Sequence, residues 1–399
     1  MIENKPRIYG IDLLRIIVMF FVVVLHICNQ SGIEKTPTAI SQQSVYCLYK
    51  TLTCIAVNVF AIISGYVGYD KSQLKISKLI ELWITVVFYG IVISAVLMFD
   101  RSQTVRIADI IKAALPVTLK QYWYFSAYVG LFFLMPLINS LVQHLSAYRF
   151  FQTAVATICI FSLYGIISVF FSDPFVMNGG YSLFWLAILY YLGAGINRFS
   201  ITPKVSQKRL AALVLIIWLV NASSLLILRF VGSVTSINLI SAMAEYLFHA
   251  YVSPAVITLS LAVFFLFANL KDIPISKNIL LVCSSSAFSV YLIHSHPLLW
   301  NSYFRNASQW ILNCSAIEML VCIPAMAILI FLFCIVIDII RAKLFSLVKT
   351  HVLIQRLEQI ITRIFDKLVD KCSKTWTLSI ETTPIHDSMT VSQENHERE

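Results

Sequence analysis

The strongest constraint on this chain is a series of about ten apolar stretches, each long enough to cross the roughly 30 Å of hydrocarbon in a bilayer. Apolar residues make up 59% of the sequence and its mean hydropathy is +0.81, well above the apolar share of about 45–50% in soluble domains. A backbone in lipid must satisfy its own hydrogen bonds, so the chain is predicted to be an all-α bundle. The predicted transmembrane stretches are 12–30, 46–69, 77–99, 122–142, 150–172, 182–198, 210–230, 243–269, 280–300 and 316–340.

The chain is expected to divide into three parts. Residues 1–345 form the transmembrane domain, and no small-residue cleavage pattern follows the first stretch, so that helix is expected to be retained. Residues 346–372 place apolar side chains at helical spacing between basic ones, which predicts an amphipathic helix on the membrane surface. Residues 373–399 are polar and lack periodicity, so we predict that they are disordered.

Basic residues indicate the orientation. Lysine and arginine precede the first stretch and follow the second, sixth, eighth and tenth, which predicts that both termini are cytoplasmic. The loop after the third stretch is also basic, and we interpret it as a short interfacial helix. The net charge of +10 is explained by these loops and by attraction to membrane lipids, so no nucleic-acid partner is predicted.

Three ionisable residues interrupt the first stretch. Asp12, Arg15 and His26 lie within the otherwise apolar Ile11–Cys28, and charge inside a membrane helix marks function more often than packing. At about 100° and 1.5 Å per residue, the positions from Arg15 to His26 return to nearly the same face after roughly 16 Å. One face is therefore predicted to carry a cation near its start and an imidazole near its end.

These residue types suit a long anionic ligand that reacts at its far end. Arg15 offers forked donors for a phosphate, and His26 can exchange a proton with a hydroxyl near neutral pH. Asp12, one turn before Arg15, can orient that guanidinium. The alternative is a signal anchor whose charged start stays in the headgroups.

Two other stretches carry candidate binding residues. Tyr291 and His294 lie near the same expected end of the bundle as His26, so the two histidines are predicted to line one cavity, unless His294 is a structural residue at the interface. Trp123 and Tyr124 begin the fourth stretch. Composition favours an aromatic belt at headgroup level for them, and a carbohydrate platform is the alternative because aromatic rings present flat apolar faces.

The remaining motifs predict packing rather than chemistry. The nine cysteines show no Cys-x-x-Cys or Cys/His ligand spacing, so no metal site is predicted. Ser64 and Gly65 are small enough to let two helices approach closely. His296 precedes Pro297 and is expected in a loop.

These segments, in this order, resemble the acyltransferase type 3 family of integral membrane acyltransferases, especially its bacterial branch that acetylates surface polysaccharides. The resemblance covers most of the chain up to about residue 345. The motifs that carry it are I-D-x-L-R with a histidine eleven residues after the arginine, V-F-A-I-I-S-G-Y at 59–66, Y-W-Y-F at 122–125 with Pro136 downstream, and F-S-V-Y-L-I-H at 288–294.

The resemblance implies about ten helices, a cytoplasmic acyl-coenzyme A donor and functional roles for Arg15 and His26. Many members carry an arginine pair where this chain has Lys75 and Lys78, and lysine is a point charge rather than a fork, which leaves the donor-phosphate contacts there open. Many relatives also carry a hydrolase-like domain, so this chain is expected to act alone or with a separate partner. No bound cofactor is implied beyond the donor substrate.

The sequence thus predicts an O-acyltransferase of the bacterial inner membrane that moves an acyl group, most simply acetyl, from acyl-coenzyme A to a hydroxyl of an exopolysaccharide, capsule or lipid-linked glycan. His26 would be the general base or, alternatively, a transient acyl carrier, with Tyr291 and His294 at the acceptor end. The rival class is a transporter or flippase, which buried charges would also serve, although no inverted repeat is visible. No oligomeric state is assigned.

One prediction concerns the C-terminal part of the chain. Every candidate site residue precedes residue 346. The sequence therefore predicts that removing the later residues leaves catalysis largely intact.

Overall fold

The computed structural model describes residues 7–36, 38–69, 75–99, 105–270, 273 and 275–375, and within these ranges the protein is all-α with no strand. Short 3-10 and π turns connect some of the helices. The helices are α1 (Tyr9–Ser31), α2 (Ile40–Thr53), α3 (Ala56–Gly68), α4 (Ile76–Met98), α5 (Ile107–Ala114), α6 (Trp123–His144), α7 (Ala147–Ile167), α8 (Leu183–Arg198), α9 (Gln207–Thr235), α10 (Asn238–Phe248), α11 (Pro254–Ala268), α12 (Lys277–His294), α13 (Pro297–Leu299), α14 (Arg305–Gln309), α15 (Ala316–Leu347) and α16 (Thr350–Thr375).

The fold is that of a multi-pass membrane protein. Among the described residues, 7 segments are long and apolar enough to cross a bilayer: α1, α2 with α3, α4, α6, α7, α9 and α15. The other three predicted stretches contain shorter helices, namely α8 with 16 residues, α11 with 15 and α12 with 18. All ten predicted stretches are therefore helical, and the predicted all-α membrane bundle is confirmed.

Some predicted helix boundaries were wrong. The stretch 243–269 is two helices, because α10 ends at Phe248 and α11 begins at Pro254 after a cap from Ser253. The stretch 280–300 ends its helix at His294, because the residue before Pro297 avoids helical geometry. After the bundle, α16 starts four residues later than the predicted 346, and most of the tail predicted to be disordered, from 376 to 399, lies outside the described residues.

Helix α1 lies at the centre of the bundle. It packs against α2, α3, α11, α12 and α15, and its buried residues include Leu14, Val18 and Val23. We call the end of the bundle where α1 begins the near face, and the end where α1 finishes the far face. The ionisable residues of α1 are therefore held inside the protein between these faces.

Glycines allow α3 and α8 to touch backbone to backbone. A Cβ added to Gly65 would overlap the carbonyl oxygen of Tyr190, and one added to Gly193 would overlap that of Ile62. The close approach predicted at Gly65 is confirmed, and Gly193 is its counterpart on α8. Ser64, next to it, is instead placed at a cavity described below.

A buried ion cluster ties α2 to α10 and to the loop after α1, near the far face. Lys50 is 1% exposed, and its Nζ lies 2.9 Å from Glu34 and 2.7 Å from Glu245. Arg229 pairs with Glu245 at 2.5 Å. Burial alone raises the pKa of Glu34, but its ion pair and hydrogen bond with Lys50 outweigh this and hold that pKa below its ordinary value.

Candidate active site

The two predicted histidines meet across 268 residues of sequence. Nδ1 of His26 on α1 lies 2.9 Å from Nε2 of His294 at the end of α12, and Nδ1 of His294 lies 2.5 Å from the carbonyl oxygen of Val290. A carbonyl oxygen only accepts, so His294 must donate from Nδ1, which leaves its Nε2 to accept from His26. In neutral rings this chain of bonds leaves Nε2 of His26 unprotonated, as a general base requires.

Aromatic rings enclose this histidine pair. The Trp300 ring lies edge-on to His26 at 4.7 Å between centroids, and Phe304 lies 5.9 Å from His294. His294 is 4% exposed, so its position depends on packing as well as on hydrogen bonds. His296 lies in the loop after α12, as predicted, but it is buried and contacts Gln121 rather than His26.

The arginine at the other end of α1 is held by Asp12. The Asp12 carboxylate accepts from Nη1 of Arg15 at 2.8 Å and from Nε of Arg7 at 2.6 Å, and its side chain is 2% exposed. Asp12 and Arg15 are thus in the contact that their spacing predicts, and Arg7 is a second cation that the sequence did not single out. The hydrogen bond to Asp12 raises the pKa of Arg7 above its ordinary value.

A basic cavity opens beside Arg15, close to the end of the bundle where α1 begins. It has a volume of about 180 Å³, and both predicted lysines, Lys75 and Lys78, line it together with Arg15. Tyr128 and Asn139 of α6 also line it. The cavity therefore brings together three cations from α1 and the start of α4.

A second cavity continues from the basic one toward the histidines. Its volume is about 200 Å³, and Ser64, Leu82 and Tyr128 line both cavities. Met19 and Val22 of α1 line the second cavity, so its wall reaches to one helical turn before His26. Arg15, Met19, Val22 and His26 thus follow one face of α1, as the spacing predicts.

The predicted aromatic residues line this second cavity. Trp123, Tyr124 and Tyr291 all face it, and the Tyr291 ring lies 6.5 Å from that of His294. The favoured interpretation of Trp123 and Tyr124 as a lipid-facing belt was wrong, because their rings turn inward. Trp123 packs against Tyr181 at 4.7 Å and Tyr124 against Tyr291 at 6.2 Å.

Sequence reasoning missed several residues of the site. Tyr128 follows Tyr124 by one helical turn and so shares its face, a signal present in the sequence. Ser64 was assigned to packing, and Trp300 carried no local signal. The ion cluster could have been found from Lys50, Glu34 and Glu245, since these charges lie inside or beside predicted membrane stretches.

The fold and the site together define a class of protein. A polytopic helical bundle with a basic cavity at one end and a paired imidazole at the other suits transfer chemistry on an extended substrate. A family model described as "Acyltransferase domain" matches residues 8–339. The chain belongs to this family, acyltransferase type 3, and is a membrane acyltransferase. Comparisons with curated proteins and with solved structures gave no match.

Proposed function

We propose that this protein is an O-acyltransferase of the bacterial inner membrane. It transfers an acyl group, most simply acetyl, from cytoplasmic acyl-coenzyme A to a hydroxyl of an exopolysaccharide, capsule or lipid-linked glycan. The observation that carries the proposal is the hydrogen-bonded pair of His26 and His294, which lies one turn of α1 beyond two adjoining cavities that begin at Arg15.

The cavities suit the donor in both charge and shape. Arg15, Lys75 and Lys78 line the basic cavity, and such groups bind phosphate oxygens. The mainly apolar second cavity, which Tyr128 also lines, suits the uncharged pantetheine arm. Arg15 and His26 are roughly 16 Å apart along α1, so a donor bound by its phosphates directs its thioester toward the imidazole pair.

The histidine pair supplies the proton transfers. Nε2 of His26 takes the proton of the acceptor hydroxyl while that oxygen forms a bond to the acyl carbon. The carbon–sulfur bond then breaks, and the departing thiolate of coenzyme A takes the proton from the His26 imidazolium. His294 accepts from Nδ1 of His26 throughout, which orients the ring and stabilises its charged form.

Aromatic side chains around the pair suit a saccharide acceptor. Trp123, Tyr124 and Tyr291 line the second cavity but not the basic one, and the Tyr291 ring lies 6.5 Å from that of His294. We place the pantetheine arm past Ser64, Leu82 and Tyr128, which line both cavities, and the acceptor against these three aromatic rings, since aromatic faces pack against the apolar faces of sugar rings. In this proposal their role is to position the acceptor, and neither a metal nor a bound organic cofactor takes part.

The decisive experiment measures transfer of labelled acetyl from acetyl-coenzyme A to glycan in proteoliposomes. The unmodified protein should label the glycan, and His26→Ala should lower the rate by at least about 100-fold, since loss of a general base typically costs 10²–10⁴. His144→Ala, which changes an exposed histidine at the end of α6, is the matched control. An unlabelled glycan that nevertheless crosses the membrane would favour the transporter alternative.

A further inference from the structure

A larger cleft lies on the near face, next to the basic cavity. Its volume is about 920 Å³, and it is formed by α4, α12, α15 and α16. Lys75 and Lys78 line both this cleft and the basic cavity beside Arg15. The two spaces are therefore neighbours that share a basic wall.

The cleft carries further cations from the end of the bundle. Arg341 and Lys343 of α15 line it, together with His351 at the start of α16. Arg341 is already paired with Asp338 at 2.6 Å. Within the described part of the chain no ion pair engages Lys75, Lys78 or Lys343, so these three charges are available to an anionic ligand.

Helix α16 is attached to the bundle as one wall of this cleft. The Glu358 carboxylate accepts from the backbone N–H of Ser77, in the first turn of α4, at 2.8 Å. Ile354 is buried, and Thr350, His351 and Ile354 all line the cleft. This side of α16 thus faces protein, whereas an interfacial helix alone would direct all its apolar residues into lipid.

These contributions come from outside the family domain. The family match ends at residue 339, whereas Arg341, Lys343 and His351 follow it. The basic end of the cleft therefore lies outside the matched region.

We propose that α16 and the end of α15 complete the donor site by binding the nucleotide phosphates of acyl-coenzyme A, an inference that rests on the function proposed above. A volume of about 920 Å³ lies in the range of small-molecule and cofactor sites, about 300–1,000 Å³. The basic cavity of about 180 Å³ holds no more than the pyrophosphate end and the start of the arm. Lys343 and His351 then face the nucleotide, with Lys75 and Lys78 between the two spaces.

This proposal replaces the expectation that the chain after residue 346 is dispensable. The histidine pair lies at the opposite end of α1, so loss of α16 should weaken donor binding while leaving the chemical step unchanged. The expected signature is a higher KM for the donor with kcat at saturating donor unaltered.

The test measures binding of coenzyme A to the purified full-length protein in detergent by calorimetry. Lys343→Ala should weaken binding by up to about fivefold, the upper end of what one exposed charge contributes. A chain truncated after Leu347, which loses the α16 wall of the cleft, should also bind more weakly than the full-length protein. Arg363→Ala, which removes an α16 cation that does not line the cleft, should bind as the unmodified protein does. The point variant keeps the test valid if the truncated chain fails to fold.

Each of three outcomes would show that one part of the proposal is wrong. If the full-length protein binds no coenzyme A, the donor assigned under the proposed function is wrong. If it binds, but Lys343→Ala and the truncated chain bind equally well, the donor stands and the role of α16 is wrong. If Lys343→Ala weakens binding to vesicles of anionic lipid but not to coenzyme A, the cleft binds lipid phosphate instead.

Discussion

The hydrogen bond between His26 and His294 makes a quantitative prediction. Replacing His294 by alanine removes the acceptor for Nδ1 of His26, so the His26 ring loses the partner that sets its tautomer. The proposed mechanism requires the His26 imidazolium to form as the hydroxyl is deprotonated. The substitution should therefore raise the barrier of the chemical step.

The size of the effect follows from how this bond changes along the reaction. Between neutral rings it contributes about 0.5–1.5 kcal/mol, whereas a hydrogen bond from a charged group contributes about 1.5–3 kcal/mol. The substitution removes the bond from the ground state as well, so the barrier rises by the difference between the two values, about 1–1.5 kcal/mol. Since about 1.36 kcal/mol corresponds to a factor of ten, kcat should fall roughly 5- to 13-fold.

The assay is steady-state transfer of labelled acetyl with the donor varied. His294→Ala should lower kcat while the KM for the donor stays constant, because the donor phosphates bind at the other end of α1. His294→Gln retains an acceptor oxygen and should recover part of the rate. His296→Ala is the control, since His296 is equally buried but contacts Gln121. A loss of less than threefold in His294→Ala, or an equal loss in the control, would refute the reasoning.

Four further predictions concern the charged groups. Arg15→Lys should raise the KM for the donor although the positive charge is kept, because the forked geometry of the guanidinium is lost. An unchanged transfer rate at subsaturating donor concentration would show that Arg15 has only a structural role. Lys50→Met should lower the free energy of unfolding by about 3 kcal/mol, because it leaves the largely buried Glu34 without its cation, although Glu245 keeps Arg229. Lys112→Met, at an exposed position, should not change the free energy of unfolding in denaturant titrations. The same ion pair lowers the Glu34 pKa, so its stabilisation is present above about pH 4.3 and is lost as the pH falls through the folded-state pKa. Reporter fusions should place the C terminus in the cytoplasm, and an external C terminus would refute the orientation inferred from the basic loops.

The sequence by itself determined the class of fold and one face of the site. Apolar length requires membrane helices, because the backbone in lipid can satisfy its hydrogen bonds only locally. The same local periodicity places Arg15 and His26 on one face of α1, and Asp12 within a turn of Arg15. These features involve residues of one helix, at most eleven positions apart, so no knowledge of neighbouring helices is needed to predict them.

The tertiary structure decided what those residues meet. His26 pairs with a histidine 268 positions away, and the inward turn of Trp123 depends on contact with Tyr181. The sequence of α16 predicts an interfacial helix, yet a hydrogen bond from the backbone of α4 to Glu358 attaches it to the bundle. Such contacts depend on which helix surfaces fit together, and the glycines that let α3 and α8 touch are one example. The fit between two helices is set by side chains far apart in sequence that pack closely in space, so a local sequence pattern does not reveal it.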